Sequence, residues 1–433
     1  MTAFPGDDGP RLLLQPDASR VVLRPFIPAD NPFPSDAVPR TRIVHVVRRV
    51  LGLDAATVAA DLGELRRHLR ERHADVDALL SQRFQDIVPP DAGLGAITTE
   101  QRLLTGGYLL NEYAVEAAAL FNPSMAAHPD QSGVPDGSLR VVMALRAVGE
   151  GHISSIVFRV GLVDAAGRVT IGSAGKKMVS PKVAWVAGRT PDDPGVRLVF
   201  EPGTDLAAMV LFPIGYQHRH GLEDLRLTRF VEDDGSVTYL GPYTGVGQEM
   251  VRQELLKTSD FETFALTALE GRYAATKGMA LFPRRLNGAY AMLGRQDHEN
   301  IWLLTSNDLH RWESGAAVIH PRWPWEFVQI GNCGPPIEID QGWLVITHGV
   351  GAIRTYCLGA CLLDKRDPTK LIARTRLPIV TPTDSTRDGY VPNAVYSCGA
   401  VVHAGRLILP YGVADSYTTL MTMPLDDLLA RMD

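Results

Sequence analysis

The chain has 433 residues, 45% of them hydrophobic, which is enough for a large core in one big domain or in two or three smaller ones. Its formal net charge is -6 and its 43 basic residues are spread along the chain, so the clustered basic surface of a nucleic-acid binder is excluded. The first twenty residues lack the basic start and apolar run of a signal peptide, and no apolar stretch approaches the roughly 18 residues of a membrane span. The expectation is a cytoplasmic protein with no membrane partner.

Residues 1–125 read as a helical extension. Asp54 is placed to cap a helix carrying Val58, Leu62, Leu65, Leu69, Val76, Leu80 and Phe84, at mostly three- and four-residue steps, with Pro89 and Pro90 ending it. The charged stretch RRHLRERH reads as solvated helix surface. Thr98 and Gln101 form a capping-box pattern before a second helix that runs through Leu103, Leu104 and Tyr108 into AVEAAAL. The apolar stripes of this part fit ordinary packing, and a role in homo-oligomer formation stays open.

From about residue 137 the texture changes to short β runs after glycine turns. The pattern recurs five times, at Gly137, Gly235, Gly288, Gly342 and Gly405, with successive spacings of 98, 53, 54 and 63 residues. The long first gap predicts an insertion or a blade with long loops. About 50 residues per unit suits a four-stranded propeller blade, with a β-sandwich as the alternative. The expected fold is therefore all-β: a five-bladed β-propeller over residues 126–433, with the two helices of residues 1–125 packed on it. Cys333, Cys357, Cys361 and Cys398 all fall late in the chain, two of them in the strand-like TYCLGACLLD, and read as small buried core residues.

Polar residues follow the five strands at similar places: Arg146, Tyr243, Arg295, His348 and Asp415. In a propeller such positions converge near the axis and line one pocket. Within GLEDLRL, Glu223, Asp224 and Arg226 stand together, a grouping that can hold one acid and tune its pKa, or form an ordinary turn salt bridge. Tyr216–His220 offers two histidines, His218 and His220, but no third ligand of fitting spacing, so no metal is expected and both read as loop residues near the acid.

The motifs FNPS at Asn122, GLEDLR, LFPRRLNGAYAMLGR, SNDLHRWE, GNCGPPIEIDQGWLVITHGVG, YCLGACLLDKRDPTKLIAR, GYVPNAVYSCGAVV and LPYGVAD, in this order, resemble glycoside hydrolase family 130. That family comprises β-mannoside phosphorylases and related inverting β-mannosidases, and the five-bladed propeller is its fold. The resemblance implies Asp224 as general acid, its proton reaching the glycosidic oxygen through a sugar hydroxyl. It implies Asn122, Arg146, Asp415, Glu223 and, more weakly, Tyr243 around the mannosyl unit. Lys277, Arg295, His348 and Tyr356 match a cationic nest for inorganic phosphate, the co-substrate of a phosphorylase; no cofactor is implied.

Three departures from the family pattern bear on the chemistry. Leu225 replaces the usual proline after the acid, which changes the loop and keeps the acid. Gly294 precedes Arg295 where histidine or aspartate is usual. Glu338 follows the PPI motif where phosphorylases often carry a basic residue; a carboxylate there repels phosphate and is a candidate base for hydrolysis. The reading thus favours, by a small margin, an enzyme that cleaves a terminal β-mannosidic bond with inversion and releases α-mannose 1-phosphate. An inverting β-mannosidase with Glu338 as base is the alternative, and a non-catalytic glycan-binding propeller is a third.

Overall fold

The computed structural model describes residues 12–33, 42–88, 96–190, 193–214, 218–247 and 251–433. The chain divides into two compact units, one of Ala18–Val115 with Lys176–Val179, the other of Met1–Asp17, Glu116–Gly175 and Ser180–Asp433. Among the described residues no helix is long and apolar enough to cross a membrane.

The smaller unit holds helices Arg42–Leu51, Ala55–Arg70, Val76–Ile87 and Thr99–Tyr108, and a two-stranded antiparallel sheet of Val21–Pro25 with Leu110–Ala114. Asp54 caps the second helix by accepting from the backbone N–H groups of Ala56 and Thr57 at 3.0 and 2.9 Å. Thr98 and Gln101 form the expected capping box. Leu62, Leu69, Val76, Leu80 and Leu103 make one core cluster, so the apolar stripe is real.

The single helix expected from Asp54 to Phe84 is two helices instead. The chain turns between them, Asp75 adopts φ 47°, and the buried His73 bonds to Glu112 at 2.8 Å, so RRHLRERH is not all solvated face. Glu112 also accepts from Arg72, and these long-range polar contacts stop the helix where apolar spacing alone does not. Pro89 and Pro90 lie outside the described residues. AVEAAAL is not helical either: the last helix ends at Tyr108, Ala114 closes a strand, and the next strand starts at Ala119. Cross-strand pairing with Val21 outcompetes alanine's helix propensity there.

The larger unit is built from antiparallel strands. Each of the five glycines has positive φ and leads into a strand: Leu139–Val148, Val237–Val246, Tyr290–Gly294, Gly342–Val350 and Arg406–Val413. Each of these strands lies between an earlier and a later strand of its own sheet, so the five repeats are structurally equivalent. The first two repeats share a twelve-stranded sheet, joined by a bridge between Gly221 and Ser154. The long first gap contains the hairpin Lys182–Thr190 with Asp193–Val199, which extends that sheet from Thr263–Ala268.

Neighbouring sheets touch in chain order. Val237–Val246 packs on Ala280–Leu281, Tyr290–Gly294 on Gln329–Asn332, and Tyr356–Leu363 on Val395–Tyr396. The last sheet returns to the first: Leu120 N donates to Ser416 O at 3.0 Å, and Cys398 N donates to Pro123 O at 2.8 Å. All four cysteines are free and buried in this unit, as expected. Burial pushes the thiol pKa of Cys333 and of Cys361 up to about 12, so neither ionises readily.

Candidate functional site

The site forms where the ends of the equivalent strands meet in the larger unit. Strand Ala119–Ala127 bulges after Phe121, and Asn122 takes φ 49° at that bulge. Its Nδ2 donates to Asp224 Oδ1 at 2.7 Å. Asp224 follows the short strand Gly221–Glu223 and itself has φ 57°. Arg146, near the end of Leu139–Val148, donates Nη2 to Glu223 Oε1 at 2.6 Å and Nε to Ser154 Oγ at 2.9 Å. Its Nη1 lies 3.7 Å from Asp224 Oδ1. Glu223 also faces Lys277, with Nζ 3.3 Å from Oε2. Sequence order scatters these residues over about a third of the chain; the sheets bring them together.

Burial acts to raise the Asp224 pKa. The charges of Arg146 and Arg226, the Asn122 hydrogen bond and the charge of Lys277 outweigh it and hold this carboxyl below the usual range. Asp415, with φ 50° just beyond Arg406–Val413, behaves in the opposite way. Burial and the nearby charges of Asp224 and Glu223 raise it to about 6, against the pull of Arg146 and Arg354. Two carboxyls in one cluster are thus driven apart.

A second group adjoins the first. Arg295 Nη1 donates to His348 Nε2 at 3.3 Å and to the Gln329 side-chain oxygen at 2.8 Å. Arg295 passes so close to Gly278 that a Cβ there would stand 2.6 Å from its Nε. Lys277 therefore reaches Glu223 from the residue next to the Arg295 contact. Tyr356 stacks on His348, with ring centroids 6.0 Å apart, and Tyr396 tilts against it at 4.9 Å. Burial, then the charges of Arg295 and Arg226, push His348 well below the ordinary imidazole range. His348 is thus neutral, and the positive charge of the expected nest comes from Lys277 and Arg295. Asn122 Oδ1 and Arg295 Nε are buried and lack a protein partner, one atom on each side of the cluster.

Two expected residues bond to partners outside the carboxylate cluster. Tyr243 is buried and donates its hydroxyl to Glu254, which also takes His218 at 2.6 Å and Arg252 at 2.6 Å. Only an alternating strand places a residue on one face or the other, and repeat alignment does not register that alternation. His218, read as a loop residue near the acid, is part of this buried cluster; Tyr216 and Gln217 lie outside the described residues. Glu338 is exposed and accepts from Arg284 Nε and Nη2 at 2.8 and 2.9 Å, with Lys365 at 3.4 Å. The Arg284 hydrogen bond, against a smaller opposing effect of burial, keeps the Glu338 pKa low. It pairs with Trp343, five residues before His348 on the same strand, which is roughly 17 Å at the usual rise.

The sequence reading missed two contributors, Gln329 and Tyr396, and read Arg226 only as a neighbour able to tune the acid. Gln329 orients Arg295. Tyr396 packs on His348 and accepts a hydrogen bond from Arg226 at 2.7 Å. The buried Arg226 also donates to the carbonyls of Asn332 and Cys333, clamping the segment after Asp224 onto the end of strand Gln329–Asn332. Arg226 stood beside the acid in the sequence, and that adjacency was the available signal. Gln329 and Tyr396 had none. No group of three or more His, Cys, Asp or Glu residues that could hold a metal occurs among the described residues.

Comparison with known proteins agrees with the motif reading. The glycoside hydrolase 130 family, described as β-1,4-mannooligosaccharide phosphorylase, matches residues 205–433. A 1,2-β-oligomannan phosphorylase of Thermoanaerobacter sp. (strain X514) is 35% identical over 220 residues, covering 49% of this chain and 71% of that protein. A β-1,2-mannobiose phosphorylase of Listeria innocua is 30% identical over 233 residues, covering 52% of this chain and 63% of that protein. A solved β-1,2-mannobiose phosphorylase from Listeria innocua, in complex with β-1,2-mannobiose, superposes with a TM-score of 0.50 over 74% of this chain and 92% of its own, at 21% identity. A second structure, described under glycoside hydrolases of family 130 that target β-1,2 mannosidic linkages in Candida mannan, gives 0.52 at 19% identity over 73% and 87%. Together with the ordered motifs around Asp224, Arg295 and His348, the family match over more than half of the chain means that this protein belongs to glycoside hydrolase family 130.

Proposed function

We propose that the chain is an inverting β-mannoside phosphorylase that releases α-mannose 1-phosphate, and that its larger unit is a five-bladed β-propeller. Five equivalent strands, sheets that touch in order and a last sheet hydrogen-bonded to the first support the propeller. The observation that carries the phosphorylase reading is the continuity of the acid cluster with Lys277 and Arg295, two cations suited to phosphate oxygens. Relatives named as phosphorylases of β-mannosides support it at family level.

In this reading Asn122, Arg146, Glu223 and Asp415 hold the mannosyl ring. Asp224 delivers a proton to the glycosidic oxygen as its bond to the anomeric carbon breaks, while a phosphate oxygen held by Lys277 and Arg295 bonds to that carbon from the opposite face. Asp224 is ionised in the free site, so its proton must come with the bound state. A sugar over the cluster excludes water, which raises the proton affinity of a carboxylate pair that already repels. Tyr356 and the neutral His348 fix Arg295 rather than add charge. Glu338, bound by two cations, is proposed to support the fold and not to activate water.

The test is sugar release from β-1,2- and β-1,4-mannobiose with and without inorganic phosphate, for the unmodified chain and Asp224→Asn. Phosphate-dependent mannose 1-phosphate is expected, with kcat falling by about 10²–10⁴ in the variant. Free mannose at an equal rate without phosphate would establish hydrolysis instead, and full activity of Asp224→Asn would remove it as the acid.

A further inference from the structure

An exposed aromatic ring stands beside the acid cluster with a rigidly held backbone. Tyr390 is 70% exposed, yet its N–H donates to Ser416 Oγ at 3.1 Å and the next N–H, of Val391, donates to Ala414 O at 3.0 Å. These two bonds bracket Asp415. Gly389 is pressed against the same segment, since a Cβ there would come within 2.6 Å of both Ala414 Cβ and Ser416 Oγ. The Tyr390 ring stacks on His152, with centroids 5.6 Å apart and planes at 27°. His152 is also exposed, has φ 59°, and sits in a turn closed by Gly149 N donating to Ile153 O at 3.0 Å. Two residues later comes Ser154, which receives the Arg146 hydrogen bond. Both halves of the ring pair are therefore anchored to segments that carry Arg146 and Asp415.

Hydrophobic burial does not explain a solvent-facing ring fixed in this way, because the arrangement leaves most of its apolar face in water. A pyranose ring has the complementary chemistry: a C–H face that packs on an aromatic ring, and hydroxyls for an imidazole N–H or acceptor.

We propose that Tyr390, stacked on His152, is a binding platform for the saccharide unit on the leaving-group side of the scissile bond. The proposal rests on the mannoside reading above. The platform is tied to the sugar-holding residues Arg146 and Asp415, whereas the phosphate is assigned to Lys277 and Arg295. A ligand that spans both the mannosyl site and the platform must be at least a disaccharide.

The experiment is calorimetric titration of β-1,2-mannobiose, β-1,4-mannobiose and mannose into the unmodified chain, Tyr390→Ala, Tyr390→Phe and His152→Ala, without phosphate, alongside the turnover assay. Tyr390→Ala is expected to weaken one of the mannobioses by about tenfold, and mannose by less than about twofold, with Tyr390→Phe close to the unmodified chain. In turnover the KM for saccharide rises and the KM for phosphate does not. Equal weakening of mannobiose and mannose, no weakening, or no mannobiose binding by the unmodified chain overturns the platform. If mannobiose binds with this Tyr390 dependence but phosphate drives no turnover, the platform stands and the phosphorylase reading falls. Phosphorolysis with an unchanged saccharide KM in Tyr390→Ala gives the converse.

Discussion

Asn122, Asp224 and Asp415 share a left-handed backbone, with φ of 49°, 57° and 50°. Asparagine and aspartate tolerate this region better than other non-glycine residues, and such conformations gather where surrounding structure over-determines them. The Asp415 carboxyl also bears an electrostatic cost. Its ordinary pKa of 3.8 rises to about 6 in the folded chain, so the unfolded chain releases this proton first as pH increases. Stability is therefore lost across the interval from about pH 4 to about pH 6, and the penalty is complete above it. Asp415→Asn is expected to stabilise the larger unit by about 3 kcal/mol near pH 8 and by less than about 1 kcal/mol near pH 4, while reducing turnover. Urea unfolding at the two pH values, followed by tryptophan fluorescence, checks this. Equal stabilisation at both would contradict the assigned titration. All six tryptophans lie between residues 185 and 343, so this signal reports on that unit.

Among the elements, the strand Ile337–Ile339 bears on two chemistries that the sequence left close to balance. Its register puts Glu338 opposite Trp343 and within reach of Arg284 and Lys365, away from His348. Glu338→Gln should leave mannoside turnover within about twofold, since it removes a half-exposed ion pair of small worth and no reacting group. A loss of 10²-fold or more in kcat would return Glu338 to the mechanism. In the smaller unit, Gly106 lies in the last helix where a Cβ would approach Leu80 O to 2.0 Å. Gly106→Ala therefore forces two helices apart, although alanine is the better helix former. A cost of about 2 kcal/mol is expected, seen as an earlier loss of helical circular dichroism. A gain in helix stability would mean that propensity outweighs packing there.

For the whole molecule, binding of co-substrate should be visible as stability. If phosphate occupies the Lys277–Arg295 region, a concentration about 100 times its Kd adds about 2.7 kcal/mol to the unit that binds it. The tryptophan-detected Tm should rise with phosphate more than with sulfate or chloride at matched ionic strength, and Arg295→Ala should remove the difference. A Tm rise that persists in Arg295→Ala would assign the effect to salt in general.

Much of this protein was legible in its residues because the signals are local. A glycine with positive φ followed by alternating apolar residues marks a strand whatever lies around it, and all five such strands are present. Asp54 and Thr98 cap helices through bonds three residues away, and so were readable too. Asn122, Asp224, Arg295 and His348 stand in motifs, each tied to its neighbours in sequence, and Arg146 stands at a repeat position. What needed the tertiary structure was every property set by partners far along the chain. The helix break at His73 depends on Glu112, the neutrality of His348 on its burial beside Arg295, and the diversion of Tyr243 and Glu338 on Glu254 and Arg284. Side-chain direction, desolvation and charge pairing are long-range quantities, and they decide which of the polar residues a motif supplies can share one site.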